Sequence, residues 1–132
     1  MNSKYPLIIF FLIVFCHTNS SFYAFDEDHI KKLLQTKSCV KCDFSEAILT
    51  GTQLPGSHLS KSNLNKANLS KANLSKAYLS KANLSEANLS GASLNGAYLS
   101  GANLSRVNLS HANLSGVNLR GIDFRGIILT SI

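Results

Sequence analysis

Residues 67–86 read ANLSK-ANLSK-AYLSK-ANLSE, and this five-residue unit decides the fold. From Phe44 to Leu129 an apolar residue recurs at every fifth position, eighteen times in succession. The most regular part of the series is the candidate core ladder: Leu64, Leu69, Leu74, Leu79, Leu84, Leu89, Leu94, Leu99, Leu104, Leu109, Leu114 and Leu119. A smaller residue, mostly alanine, lies two positions before each leucine. This spacing argues for an ordered fold, although the abundance of Ser, Asn and Gly alone would suggest disorder.

The five-residue period excludes the common regular elements. Around an α-helix of 3.6 residues per turn, the leucines would drift over every face. In a β-strand, where side chains alternate every two residues, the pattern would change face at each repeat. Leucine-rich repeats have longer periods of about 20–29 residues. Each pentad is therefore predicted to form one side of a coil that turns at every repeat.

The tandem units 67–71 and 72–76 resemble those of the pentapeptide-repeat family, and the chain is identified as an exported bacterial member. The resemblance implies an all-β fold, a right-handed quadrilateral β-helix in which four pentads make one square coil. The leucine and the small residue before it would point inward. Residues 39–132 are predicted to form this β-helix, with about four and a half coils. In residues 52–63 Ser or Thr replaces the usual Ala, which predicts looser packing in the first coils.

Both ends of a solenoid expose apolar surface and unpaired backbone. Residues 25–38 are predicted to form a helix that caps the N-terminal end, with Asp26 as the N-cap and an apolar stripe of Ile30, Leu33 and Leu34. The C-terminal coil instead has bulky residues: Ile122, Phe124, Ile127, Ile128, Leu129 and Ile132. They either fill the last coil or form the surface of a homodimer; the family resemblance adds support to the second interpretation, because members of the family dimerise in this way.

Residues 1–24 have the organisation of a secretory signal peptide. Lys4 precedes an apolar run at residues 7–16, polar residues follow, and Ala24 suits the position before a cleavage site. The apolar run is shorter than the roughly 20 residues of a membrane-spanning helix. The protein is therefore expected to be exported to the periplasm or secreted, with an uncleaved N-terminal membrane anchor as the alternative.

Cys39 and Cys42 form a CxxC motif, whose spacing also occurs in redox sites. Because an exported protein meets oxidising conditions, we expect these residues to form a structural disulfide. A catalytic CxxC would lie at the start of a helix in a βαβ unit, and a structural zinc site would need four ligands. No other spacing typical of catalysis or phosphate binding occurs, so no catalytic residue, metal or cofactor is predicted and the chain is not expected to be an enzyme.

If a coil contains twenty residues, residues twenty apart lie above one another. Tyr78 and Tyr98 are then expected to stack in one column with His58 and Asn118. The basic residues Lys61, Lys66, Lys71 and Lys76 form a belt around one coil, and Lys81 lies above Lys61. The lysine belt and the tyrosine pair are the possible interaction surface. The alternatives are a packing ladder for the tyrosines and a solubilising surface for the lysines.

Two more ladders follow from the same spacing. Lys66, Glu86 and Arg106 share a column, in which Glu86 could form ion pairs with both cations. A second column is predicted to be a ladder of side-chain hydrogen bonds, formed by Asn63, Asn83, Asn103 and Asp123.

These features favour an exported structural or interaction module that presents a rigid repeat surface to a protein or to an anionic envelope component. Nucleic acid is disfavoured, because the lysine belt lacks interleaved aromatic residues. The resemblance also suggests a DNA mimic that protects a topoisomerase, as some family members do. The formal net charge of +6 and the export signal disfavour this alternative. Binding of ice or carbohydrate and a CxxC thiol-redox protein are the remaining alternatives.

Overall fold

The structure is a computed structural model that describes residues 26–123 and 125–130. The predicted signal peptide lies outside these residues, as do Phe124 and Ile132 of the last coil. In the described part of the chain, no helix is long and apolar enough to cross a membrane.

One helix, α1, spans Glu27–Thr36 and lies within the segment predicted to cap the rod. Oδ1 of Asp26 accepts a hydrogen bond from the N–H of Asp28 at 2.9 Å and so caps the first turn. The helix ends at Lys37, whose left-handed backbone directs its N–H to the carbonyl of Leu33. Leu33 is fully buried, and Ile30 and Leu34 pack against the same core. The apolar stripe of α1 therefore covers the N-terminal end of the coils.

The β-structure consists of single-residue parallel bridges, each of which joins residues twenty positions apart. The bridge positions are Ser38, Asp43, Ile48, Gln53, His58, Asn63, Asn68, Asn73, Tyr78, Asn83, Asn88, Ser93, Tyr98, Asn103, Asn108, Asn113 and Ile128. Backbone hydrogen bonds alternate between neighbouring coils, so that Leu64 donates to the Asn83 carbonyl at 2.7 Å and the Asn83 N–H donates to Ser62 at 2.9 Å. The extended segments are short because the chain turns in every pentad.

The leucine column forms the core of the rod. From Leu64 to Leu109 every member of the core ladder is at most 1% exposed. Leu114 and Leu119 are only half-buried, and the later Leu129 is 47% exposed. The difference arises because, within the described residues, no coil is stacked on the outer side of the last one. Full burial of a leucine requires a neighbour on both sides of its coil.

The hydroxyl residues of segment 52–63 do not interrupt the coils, contrary to the looser packing expected from the sequence. The Leu54 N–H donates to the Asn73 carbonyl at 2.8 Å, as in the regular repeats. Thr52 and Ser62 are buried, and their hydroxyls donate to the carbonyls three residues earlier at 2.8 and 2.6 Å. Ser57 is also fully buried, but its hydroxyl has no hydrogen-bond partner.

At the corners of the rod the backbone enters the left-handed region. All eight glycines have φ between 65° and 74°, and ten other described corner residues also have positive φ. The asparagine that is the second residue of most pentads supports this turn. In the pentad of Asn68, its Oδ1 accepts the Ser70 N–H at 3.1 Å and the Ser70 hydroxyl at 2.8 Å. This local bonding explains the repeated Asn-Leu-Ser sequence.

The C-terminal end remains partly apolar at its surface. Ile122 is buried and Ile127 is half-buried, but Ile128 is 51% exposed. Dimerisation through this end stays a prediction.

Candidate functional site

The twenty-residue spacing gives the rod four sides, and one of them differs in chemistry from the other three. The central columns of three sides are mostly amides: Asp43, Asn63, Asn83, Asn103 and Asp123; Ile48, Asn68, Asn88, Asn108 and Ile128; Gln53, Asn73, Ser93 and Asn113. The fourth column contains Ser38, His58, Tyr78, Tyr98 and, by continuation of the spacing, Asn118. We call this side the aromatic face.

The aromatic residues of this face form one continuous stack. The His58 and Tyr78 rings lie 4.6 Å apart with an interplanar angle of 12°, and the Tyr78 and Tyr98 rings lie 4.8 Å apart at 8°. The two tyrosines are 40% and 53% exposed. Because the ring planes face one another, the stack presents mainly ring edges and phenolic hydroxyls to solvent.

The aromatic residues replace a stabilising turn interaction. On the other sides, an asparagine or aspartate accepts the N–H of the residue two positions later, as Asn83 does for Ser85 at 3.2 Å. Tyrosine and histidine lack the short carbonyl group that makes this bond. One such hydrogen bond contributes about 0.5–1.5 kcal/mol, and an aromatic contact contributes a similar amount. The stack therefore offsets the lost bonds but adds no clear stability beyond them.

The lysine belt does not form a single surface, because its members lie at different corners of the rod. Lys61 and Lys81 share one corner, which borders the aromatic face, and Lys76 borders that face on its opposite side. Lys66 and Lys71 lie at the two remaining corners. The structure thus separates the predicted belt into three lysines beside the aromatic face and two that lie away from it.

All five belt lysines have left-handed backbone, with φ between 57° and 63°. Three of them lie beneath a glycine of the next coil. A Cβ added at Gly91 or Gly96 would meet the Cγ of Lys71 or Lys76 at 3.5 Å, and one at Gly101 would meet the Cγ of Lys81 at 3.4 Å. These distances are ordinary van der Waals contacts, so glycine is favoured at these corners by the positive φ and not by a lack of space.

The predicted charge ladder at Glu86 is not formed. Among the described residues, the ion pairs between basic and acidic side chains are Asp28 with Lys31 and Asp123 with Arg125. Glu86 is exposed at a corner, and an ion pair there would gain little while restricting two long side chains.

The predicted amide ladder does form, but its ends differ from the expectation. Asn103 donates to Asn83 and Asn83 donates to Asn63, both at 3.3 Å. Asn63 in turn donates to Asp43 at 3.1 Å, which extends the ladder by one coil. At the other end Asp123 is engaged by the guanidinium of Arg125 at 2.6 Å.

Asp43 connects this ladder to α1. Burial acts to raise the pKa of the Asp43 carboxyl, but hydrogen bonds from Ser45 and Asn63 and the nearby His29 together hold the pKa below its usual value. The Asp43 N–H also donates to Nδ1 of His29 at 3.1 Å. These contacts hold the capping helix on the first coil.

The CxxC motif lies inside the first coil. The sulfur atoms of Cys39 and Cys42 are at bonding distance, and their Cα atoms lie 5.5 Å apart. Both residues are at most 4% exposed. The part of the chain that the structure describes contains no cluster of His, Cys, Asp or Glu that could hold a metal ion.

A comparison with protein families identifies this architecture. The family described as pentapeptide repeats matches residues 38–75 and 92–130, with eight copies of the repeat. The chain belongs to the pentapeptide-repeat family. This membership confirms the predicted right-handed quadrilateral β-helix. Pentapeptide-repeat proteins are generally non-catalytic and act as interaction modules.

Several solved pentapeptide-repeat proteins are similar to this chain. One from the thylakoid lumen of Arabidopsis thaliana is 27% identical, with 85% of this chain and 79% of that chain covered and a TM-score of 0.58. One from Nostoc Pcc 7120 is 30% identical, with 80% of this chain and 95% of that chain covered and a TM-score of 0.47. One from Cyanothece 51142 is 28% identical, with 80% of this chain and 95% of that chain covered and a TM-score of 0.36. No curated protein sequence matches this chain.

Proposed function

We propose that this pentapeptide-repeat protein is an exported, non-enzymatic interaction module that binds a protein or an anionic envelope component through its aromatic face. One observation carries the proposal. On this face aromatic side chains replace the amides of the other three sides, and lysines border them at both corners. Exposed aromatic and basic side chains on a rigid scaffold are typical of binding surfaces.

The scaffold supports the proposal because it holds the face in one shape. His58, Tyr78 and Tyr98 each donate a backbone N–H to the coil on one side, at 2.8–2.9 Å. In the chain, the small residue before each of them and the leucine after it are buried in the core. Binding by a pre-ordered surface avoids the entropy cost of ordering a loop.

Export is the second part of the proposal. Residues 1–24 have the composition of a signal peptide, and a disulfide between Cys39 and Cys42, whose sulfur atoms lie at bonding distance, would be stable in an oxidising compartment. The Arabidopsis relative comes from the thylakoid lumen, a compartment enclosed by a membrane. Cell fractionation and the N-terminal sequence of the purified protein test this part. A precursor that remains intact in the cytoplasm would contradict it.

Two of the alternatives fit the molecule less well. A thiol oxidoreductase needs an accessible cysteine, whereas Cys39 is 0% and Cys42 is 4% exposed. A DNA mimic needs an acidic surface, whereas the chain has a formal net charge of +6. Both observations favour binding without catalysis.

Capture from envelope extract tests the proposed face. The first variant carries Tyr78→Asn and Tyr98→Asn, which restore the asparagine of the other sides and should leave the fold intact. A matched control carries Lys66→Gln and Lys71→Gln, away from the aromatic face. We expect the wild type and the control to retain the same component and the tyrosine variant to lose it. Equal capture by all three proteins would refute the aromatic face as the binding site.

A further inference from the structure

The aromatic face has the largest net positive charge of the four sides of the rod. All its charged residues are basic: Lys37, Lys41, Lys61, Lys76, Lys81 and Arg120. The acidic residues of the coils lie elsewhere: Asp43, Glu46, Glu86 and Asp123. The side chain of Lys37 turns away, since its Nζ donates to the Gln53 carbonyl on another side. Five cations therefore remain on a face that has no carboxylate.

These cations are available for a partner. In the described part of the chain, none of Lys41, Lys61, Lys76, Lys81 or Arg120 belongs to an ion pair. All five residues are exposed. An anionic partner would therefore gain their attraction without first breaking a salt bridge.

The backbone at these lysines is strained for a residue with a side chain. The backbone φ lies between 57° and 63° at Lys41, Lys61, Lys76 and Lys81. Glycine adopts this region without steric penalty. The same chain has glycine at eight equivalent corners. Lys66, Lys71 and Arg106 at the other corners have the same conformation, so the strain belongs to the corner position and does not distinguish this face.

The arrangement of cations and rings favours a flat partner over a linear one. Lys61 and Lys81 border one edge of the face and Lys76 the other, with the full width of the aromatic column between them. A linear polymer running along the rod would follow one edge or the centre, whereas a planar surface would contact both edges together. Tyrosines suit such a contact, because their rings prefer the boundary between water and lipid.

The ring stack also argues against single-stranded nucleic acid. Tyr78 lies between Lys76 and Lys81, so aromatic and basic residues are interleaved here, unlike the expectation for the lysine belt. However, the Tyr78 ring is covered by rings on both sides, at 4.6 and 4.8 Å. Its planes cannot serve as platforms for bases, which single-strand binders require.

From these observations we infer that the aromatic face docks on an anionic lipid bilayer. This inference rests on the proposed function, since it names the anionic envelope component that the face binds. Phosphate groups of the lipids contact the lysines at both corners, and the phenolic edges of Tyr78 and Tyr98 lie in the interfacial region between them. The rod lies with one of its four sides on the membrane surface.

Sedimentation with vesicles tests the inference on the protein purified after export. We expect binding to phosphatidylcholine vesicles that contain phosphatidylglycerol, little binding to pure phosphatidylcholine, and weaker binding at high salt. A lysine near an anionic surface contributes roughly fivefold. The face variant Lys61→Gln, Lys76→Gln, Lys81→Gln should therefore reduce the partition coefficient by about 100-fold.

Matched variants separate this face from general charge. The control Lys66→Gln, Lys71→Gln, Arg106→Gln changes the net charge equally, at corners with the same backbone conformation. It should bind within a few-fold of the wild type. The Tyr78→Asn, Tyr98→Asn variant should also lose affinity, although its charge is unchanged. An uncleaved N-terminal anchor would contribute equally to all variants and would leave these differences intact.

Each other outcome overturns the inference in a distinguishable way. Equal losses in the face and control variants would mean that binding follows net charge and not this face. Binding of soluble polygalacturonate through the face, without binding to vesicles, would make a linear acidic glycan the partner. Capture of an envelope protein through the face, again without vesicle binding, would leave the proposed function standing. If the wild type neither bound vesicles nor captured an envelope component, both the membrane inference and the proposed function would be refuted.

Discussion

Replacing Ser57 with alanine should stabilise the protein. Ser57 is fully buried, and its hydroxyl has no hydrogen-bond partner. The residues stacked in the same inward column, Ala77 and Ala97, lack a hydroxyl and are also buried. Ser57→Ala therefore restores the side chain that the neighbouring coils use and removes only the polar group.

The size of the effect follows from the cost of an unsatisfied polar group. Burying a hydroxyl without a partner costs about 1–3 kcal/mol, and the loss of one atom's packing contacts offsets a small part of the gain. We expect the free energy of unfolding to rise by about 1–2 kcal/mol. In a domain of about 100 residues, each 1 kcal/mol raises the melting temperature by roughly 4–8 °C.

Urea unfolding followed by circular dichroism measures the change, with Ser62→Ala as the matched control. The Ser62 hydroxyl donates to the Leu59 carbonyl at 2.6 Å, so its removal should lower stability by about 0.5–1.5 kcal/mol. The two variants lose the same atom in the same segment and are expected to change in opposite directions. The reasoning is refuted if Ser57→Ala is no more stable than the wild type, or if both variants gain equally.

Three further changes test the core, the capping region and the cysteines. Leu84→Ala should lower the free energy of unfolding by about 2–5 kcal/mol, whereas Leu129→Ala at the exposed end should lower it much less. Equal losses of stability in urea unfolding would contradict the assignment of Leu84 to the buried core. Because the folded pKa of Asp43 is lowered, its stabilising contribution is present above the ordinary value of 3.8 and is lost as pH falls below it. Asp43→Asn should therefore weaken the loss of stability in acid, and an unchanged pH profile of thermal melting would argue against this role. Alkylation followed by mass spectrometry should modify Cys39 and Cys42 only after denaturation with reduction; modification after denaturation alone would exclude the disulfide.

The position of the aromatic stack could be predicted because it follows from spacing alone. Once a coil contains twenty residues, His58, Tyr78 and Tyr98 must lie above one another, and the backbone bridges join these residues. The amide ladder at Asn83 follows in the same way. Stacking in a solenoid is set by backbone pairing, so the sequence number of a residue is enough to place it.

Side-chain contacts at the surface could not be predicted from spacing. Glu86 shares a column with two cations but forms no ion pair, because exposed long side chains are not held in one geometry by packing. The incomplete burial of Leu114 and Leu119 depends on the absence of a further coil beyond them. The left-handed backbone of the lysines had a signal that sequence reasoning missed, since glycine alternates with lysine at the same pentad position.

The twenty-residue coil also constrains how this protein can change in length. Insertion of a single pentad between Tyr78 and Tyr98 would preserve the core, because every leucine would still be five residues from the next. It would nevertheless rotate all later residues by one side of the square and move Tyr98 onto a neighbouring side. Duplication or loss of four pentads would keep the ring stack aligned. Natural variants that retain this surface should therefore differ in length by whole turns.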